Sequence, residues 1–196
     1  MTTATTRDTG SERELAKLPY GRAGIWWFLA SEIMTFGGLL GSYVLARIAA
    51  GGWAEEMTHL NANIAAFNTL LLVSSSLTIV LAHRAAEAGE RERARNLLWV
   101  TVAIGIWFIA NKAWEYSIEI HHGYVPSTST FWSFYYAMTG LHALHVIGGI
   151  IWNACMAIAA YRTIWPKVAH RVEYAGLYWH FVDVVWIFLF PLLYLS

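Results

Sequence analysis

Residues 132–161 read WSFYYAMTGLHALHVIGGIIWNACMAIAAY, thirty positions without one Asp, Glu, Lys or Arg. A helix of that length rises about 45 Å, more than the roughly 30 Å hydrocarbon core of a bilayer. A helix on the surface of a soluble bundle carries a charged stripe toward water, and this stretch has none. Four further stretches share the pattern: 24–50, 63–83, 96–118 and 174–195. All five together hold only five of the 26 charged side chains: Glu32, Arg47, Lys112, Glu115 and Asp183. Polar and apolar residues do not alternate along them, which argues against a β-barrel. The expected fold is all-α, an integral membrane bundle of five transmembrane helices over residues 23–196, and a soluble enzyme is excluded. Residues 1–22 are polar, lack the apolar core of a signal peptide, and read as a flexible cytoplasmic segment.

The charges outside the spans give an orientation. Eleven Lys and Arg lie before span 1, between spans 2 and 3, and between spans 4 and 5, whereas the loops 51–62 and 119–131 have none. The positive-inside rule puts the N-terminus in the cytoplasm and the C-terminus outside, in the cell (inner) membrane. The 13 basic and 13 acidic residues balance, so there is no basic surface for nucleic acid. The single cysteine, Cys155, excludes an intrachain disulfide or a cysteine-built zinc site and reads as a small buried apolar residue. Short loops predict that successive helices pack as antiparallel neighbours. Gly37, Gly38 and Gly41, and also Gly148 and Gly149, read as close helix contacts. Trp26, Trp27, Trp132, Trp165 and Tyr194 near span ends suit the membrane interface. The deeper Trp107, Trp152, Trp179 and Trp186 suit partner helices or lipid.

An ionisable group inside the bilayer is costly unless partnered, so each is a functional candidate. Glu32 lies in the cytoplasmic half of span 1 with no opposite charge near it in sequence. Its partner is then another helix, a lipid head or water, or the carboxyl is protonated. It reads equally as a structural hydrogen-bonded group and as a proton-handling one. Lys112 and Glu115, three apart on span 3 with Glu119 continuing that face, read as an intrahelical ion pair. His142 and His145 share a face near the middle of span 4, and His180 and Asp183 repeat the spacing on span 5. Paired histidines suit a metal or haem. Here they lie at different depths with no stacked ladder, so no metal is expected. Asp183 should hydrogen-bond His180 or a neighbouring helix, and His121 and His122 should be solvated. Asn68, Thr69, Ser74, Ser75, Ser76 and Thr78 give span 2 a polar surface for interhelical hydrogen bonds. The residues thus describe a five-helix bundle with no cofactor of its own. No span is broken by proline near its middle, which weighs against a free-standing transporter.

The string Tyr178-Trp179-His180-Phe181-Val182-Asp183-Val184-Val185-Trp186 resembles subunit III of the haem-copper (cytochrome c) oxidases. Gly140-Leu141-His142-Ala143-Leu144-His145-Val146, Ser31-Glu32-Ile33-Met34, Phe67-Asn68-Thr69-Leu70-Leu71-Leu72 and Glu115-Tyr116 are similar to further family signatures. The resemblance covers about residues 22–196 and is to a short five-helix form, without the first two helices of the seven-helix form. It implies an accessory subunit of a proton-pumping terminal oxidase, without catalytic residues or cofactor of its own. The partner is the catalytic subunit I, with haems and copper in partner subunits. Phospholipid is a further implied ligand, although the long form's lipid cleft is incomplete here. Glu32 matches the family's carbodiimide-reactive membrane glutamate, which implies support of proton uptake. Subunit III of quinol oxidases and an accessory protein of nitric oxide reductases share these signatures and are the alternative readings.

Overall fold

The structure is a computed structural model that describes residues 20–162 and 164–195. Most of the expected segment 1–22 therefore lies outside the described residues. Seven helices follow in order: α1 (Tyr20–Ala49), α2 (Ala54–Met57), α3 (Ala62–Glu87), α4 (Arg91–His121), α5 (Thr130–Ala159), α6 (Trp165–Val168) and α7 (Arg171–Tyr194). The five long ones are apolar and long enough to cross a membrane, and among the described residues there is no strand. Their ends differ from those of the apolar spans by up to five residues because local chemistry, not apolarity, ends them. Asn61 caps α3 by accepting from the backbone N–H of Asn63 and Ile64 at 3.1 and 3.2 Å, which meets donors a helix start leaves open. Gly123, at φ 86°, ends α4. It lets the Tyr124 N–H reach back to the Glu119 carbonyl at 2.9 Å, in the left-handed termination that favours glycine.

α7 sits centrally, against α1, α3 and α5. The expected neighbour packing holds for α3 with α4, α4 with α5 and α5 with α7. It fails for α1, which packs chiefly on α7 and α5 rather than on α3. The closest interlock is built on glycine. The Trp179 indole lies between Gly105 of α4 and Gly149 of α5, where an added Cβ would come within 2.8 and 2.6 Å of its ring. Its Nε1 donates to Ser75 Oγ of α3 at 2.8 Å. One side chain thereby ties four helices together.

Several placements differ from the sequence expectations. A Cβ at Gly37, Gly38 or Gly41 would meet nothing within 4 Å, so that stripe faces outward and makes no contact inside the bundle. Cys155 is exposed, not buried; a thiol is apolar enough for a lipid-facing position. Trp132, Trp165 and Tyr194 are buried because helix ends pack against loops and neighbouring helices. Trp26 and Trp27 do face outward.

The basic loops meet at one end of the bundle. Arg22 pairs with Glu173 at 2.8 Å. Arg91 donates to the carbonyls of Ala160 and Arg162, and the Arg95 guanidinium lies 4.7 Å from the Tyr161 ring centroid. These contacts tie the loops on either side of α4 and α7 together, so α1, α4 and α7 all start at this basic end.

Candidate functional site

Glu32 of α1 finds its partner on α5. Its Oε2 lies 3.1 Å from His145 Nε2. The other ring nitrogen, Nδ1, is 2.8 Å from the Leu141 carbonyl. A carbonyl only accepts, so Nδ1 carries a hydrogen. The contact between Nε2 and the carboxylate then contains one further proton, held either as carboxylic acid or as imidazolium. Phe36 meets the imidazole edge-on at 5.1 Å, and the Tyr178 hydroxyl donates to the His145 carbonyl at 2.9 Å. The two side chains are 18% and 14% exposed, so the pair is partly enclosed rather than sealed. Twelve residues from Tyr20, Glu32 lies about 18 Å along its helix, in the basic half.

A second cluster joins α3 and α7. Ser76 Oγ donates to Asp183 Oδ2 and lies 3.0 Å from His180 Nδ1. A hydroxyl has one hydrogen, so the His180 nitrogen is the donor to Ser76. His180 and Asp183 are thus linked through a serine of another helix. Asp183 is buried, and its Oδ1 has no partner among the described residues.

Lys112 and Glu115 lie 3.2 Å apart, but the expected intrahelical pair is only the centre of a larger cluster. Lys112 Nζ also donates to the hydroxyls of Tyr135 on α5, at 3.1 Å, and Tyr194 on α7, at 2.8 Å. Both phenols donate in turn to Glu115 Oε1, Tyr135 at 2.6 Å. The Lys112 ammonium thus donates two hydrogen bonds to phenols and lies in ion-pair contact with Glu115 Oε2, which takes no hydrogen bond among the described residues; aromatic rings enclose the charge pair.

His142 does not join His145. It is fully buried, stacked on Trp186 at 5.1 Å and edge-on to Phe108 at 5.6 Å. Neither ring nitrogen has a hydrogen-bond partner among the described residues. The four candidates on α5 and α7 therefore serve three separate places. Among the described residues no group of three or more His, Cys, Asp and Glu is placed to hold a metal.

Sequence reasoning missed the partners more than the charges. Asn111 donates to Asn68 at 2.7 Å, Thr78 meets Thr101 at 2.7 Å, and Trp186 donates to Thr69 at 2.9 Å. Tyr194 was legible only as an interface aromatic, and Tyr135 was not singled out. Their tyrosine hydroxyls, which phenylalanine lacks, were the available signal.

The family model for cytochrome c oxidase subunit III matches residues 16–196. A "Probable cytochrome c oxidase subunit 3" of Nocardia farcinica is 40% identical over 172 residues, covering 87% of this chain and 84% of that protein. One of Mycobacterium leprae, of the same description, is 37% identical over 171 residues, with coverage of 87% and 84%. A "Cytochrome c oxidase subunit 3" of Thermostichus vulcanus is 36% identical over 177 residues, with coverage of 88% and 85%.

Proposed function

The chain belongs to the cytochrome c oxidase subunit III family, and from that premise we propose that it works as an accessory membrane subunit of a proton-pumping terminal oxidase. Its place is beside the catalytic subunit I, which carries haems and copper and reduces oxygen to water. This chain contributes packing, lipid contact and a proton-holding pair, and no group that touches oxygen. Its basic end faces the cytoplasm, as the positive-inside rule requires.

The observation that carries the proton role is the Glu32–His145 contact. A carboxyl and an imidazole stand 3.1 Å apart in the basic half of the bundle, close enough to hold one proton between them. Such a pair is neutral while it holds the proton and carries one negative charge once it passes the proton on, so it serves as a station for uptake from the cytoplasmic side only while a further proton follows. His142, His180 and Asp183 support the frame that holds it. The test is purification through a tag on this chain in mild detergent, with an optical spectrum, identification of the accompanying subunits and repeated turnover. The oxidase with Glu32→Gln should keep its haem and its initial rate, and should take up protons more slowly or inactivate sooner. Loss of haem in that variant, or a chain that comes off alone and colourless, opposes the reading. A complex without a copper-bearing second subunit would make it a quinol oxidase instead.

A further inference from the structure

α4 carries a seam that the bundle leaves open. Val100, Ile104, Trp107, Asn111, Trp114 and Ile118 follow one another at alternating steps of four and three residues. Those are the steps between a and d positions on a helix that packs along a partner helix. Val100, Trp107, Trp114 and Ile118 are exposed, and Ile104 and Asn111 are half-buried. Along the outer half of the seam α3 and α4 part to leave a cleft of about 570 Å³, bordered by Phe67, Trp107, Asn111 and Trp114. The Asn111 amide uses one of its two hydrogens on Asn68, at 2.7 Å. Its other hydrogen and its Oδ1 have no partner among the described residues, and neither has the indole N–H of Trp107 or Trp114. Trp107 stands one residue from the midpoint of α4 (Arg91–His121) and Asn111 five, about 8 Å from it along the axis. Both lie inside a hydrocarbon core about 30 Å thick, where acyl chains offer no hydrogen-bonding group.

We propose that this seam is the docking surface for one membrane-spanning helix of another subunit, apolar along its contact face except for a single side-chain amide that meets Asn111. The spacing argues for a helix, because only a helix repeats its contacts at this period over the whole length of the seam. The open atoms argue for the amide. An Asn or Gln side chain answers both at once, its N–H donating to Asn111 Oδ1 and its oxygen accepting from Nδ2. An ionised carboxylate only accepts, so it leaves Oδ1 unanswered, and it adds a charge to the membrane. Acyl chains fill the cleft but leave every one of these groups open. A lone amide at an a position also fixes the register of the two helices, and such side chains hold membrane helices together. This docking rests on the reading of the chain as one subunit of a membrane complex, and not on the proton role of Glu32.

The experiment purifies the complex through a tag on this chain in mild detergent, with Trp107 replaced by photoreactive benzoylphenylalanine. Ile106, exposed at the same depth but off the seam, is replaced in a control. Position 107 should join one peptide of another subunit, an apolar stretch of membrane-spanning length that contains Asn or Gln, and position 106 should not join that peptide. Asn111→Leu should lower the amount of that subunit kept through a detergent wash roughly threefold to tenfold, the size of an interhelical hydrogen bond in a membrane. Trp107→Ala, which disturbs no hydrogen bond of the bundle, should lower it too, and Ile106→Ala should not. The proposal is overturned by a haem-bearing complex in which position 107 joins only lipid, a second copy of this chain, or a stretch without Asn or Gln. Full retention of every subunit by both Asn111→Leu and Trp107→Ala overturns it as well. Either result leaves the subunit reading standing, whereas a chain that comes off alone and colourless overturns both.

Discussion

At the residue scale the buried charges are held by tyrosines as much as by each other. Lys112 and Glu115 are almost wholly buried, so removing one leaves the other stranded in a medium that solvates it poorly. Lys112→Met should lower the stability of the complex by about 3–5 kcal/mol, the usual cost of breaking a buried pair from one side. Lys112→Met with Glu115→Gln should recover more than half of that. Unfolding in mild detergent, followed by tryptophan fluorescence, measures both, and simple additivity of the two single variants would refute the account. Glycine offers a matched contrast. Gly149→Ala forces a methyl to within 2.6 Å of the Trp179 ring. It should cost about 1–3 kcal/mol by overpacking, whereas Gly38→Ala, with nothing within 4 Å, should be nearly neutral in the same assay.

At the scale of the element, α1 stands apart. It is the least buried of the five long helices. Among the described residues its polar contacts to the rest of the bundle include Arg22 to Glu173, Glu32 to His145, and the Tyr43 hydroxyl to the Leu192 carbonyl at 2.8 Å. His145→Phe removes the middle fastening and leaves Glu32 bare. Amide exchange should then rise along α1 while α3 and α4 keep their protection, and equal loosening throughout would contradict this arrangement. The five helices were legible from the sequence because charge avoids hydrocarbon, a constraint that acts position by position. The packing of α1 was not, because a helix apolar on all sides does not announce which side faces its neighbours. The same limit governs the site. Glu32, His145, Lys112 and Asp183 stand out as lone polar groups, but their partners are fixed by helix rotation and depth. That is why the pairing of Ser76 with Asp183, and of Tyr135 and Tyr194 with Lys112 and Glu115, emerged only in three dimensions, and why His142 and His145, one turn apart, part company.

For the whole molecule, the distribution of charge gives the bundle a direction. Arg22, Arg91 and Arg95 make their contacts at one end, beside the loop around residue 162. The opposite end presents His59, Glu119, His122 and Tyr124, with no Lys or Arg in either loop there. The positive-inside rule puts the basic end in the cytoplasm, and the proton role proposed for Glu32 depends on that orientation. Cysteine labelling in intact cells tests this. With Cys155 replaced by serine, Ser127→Cys in the 119–131 loop should react with a membrane-impermeant maleimide from outside. Ala88→Cys, at an exposed position between α3 and α4, should react only after the cells are opened. The reverse pattern would invert the bundle, move Glu32 to the outer half and remove the physical basis for the proton role proposed for it.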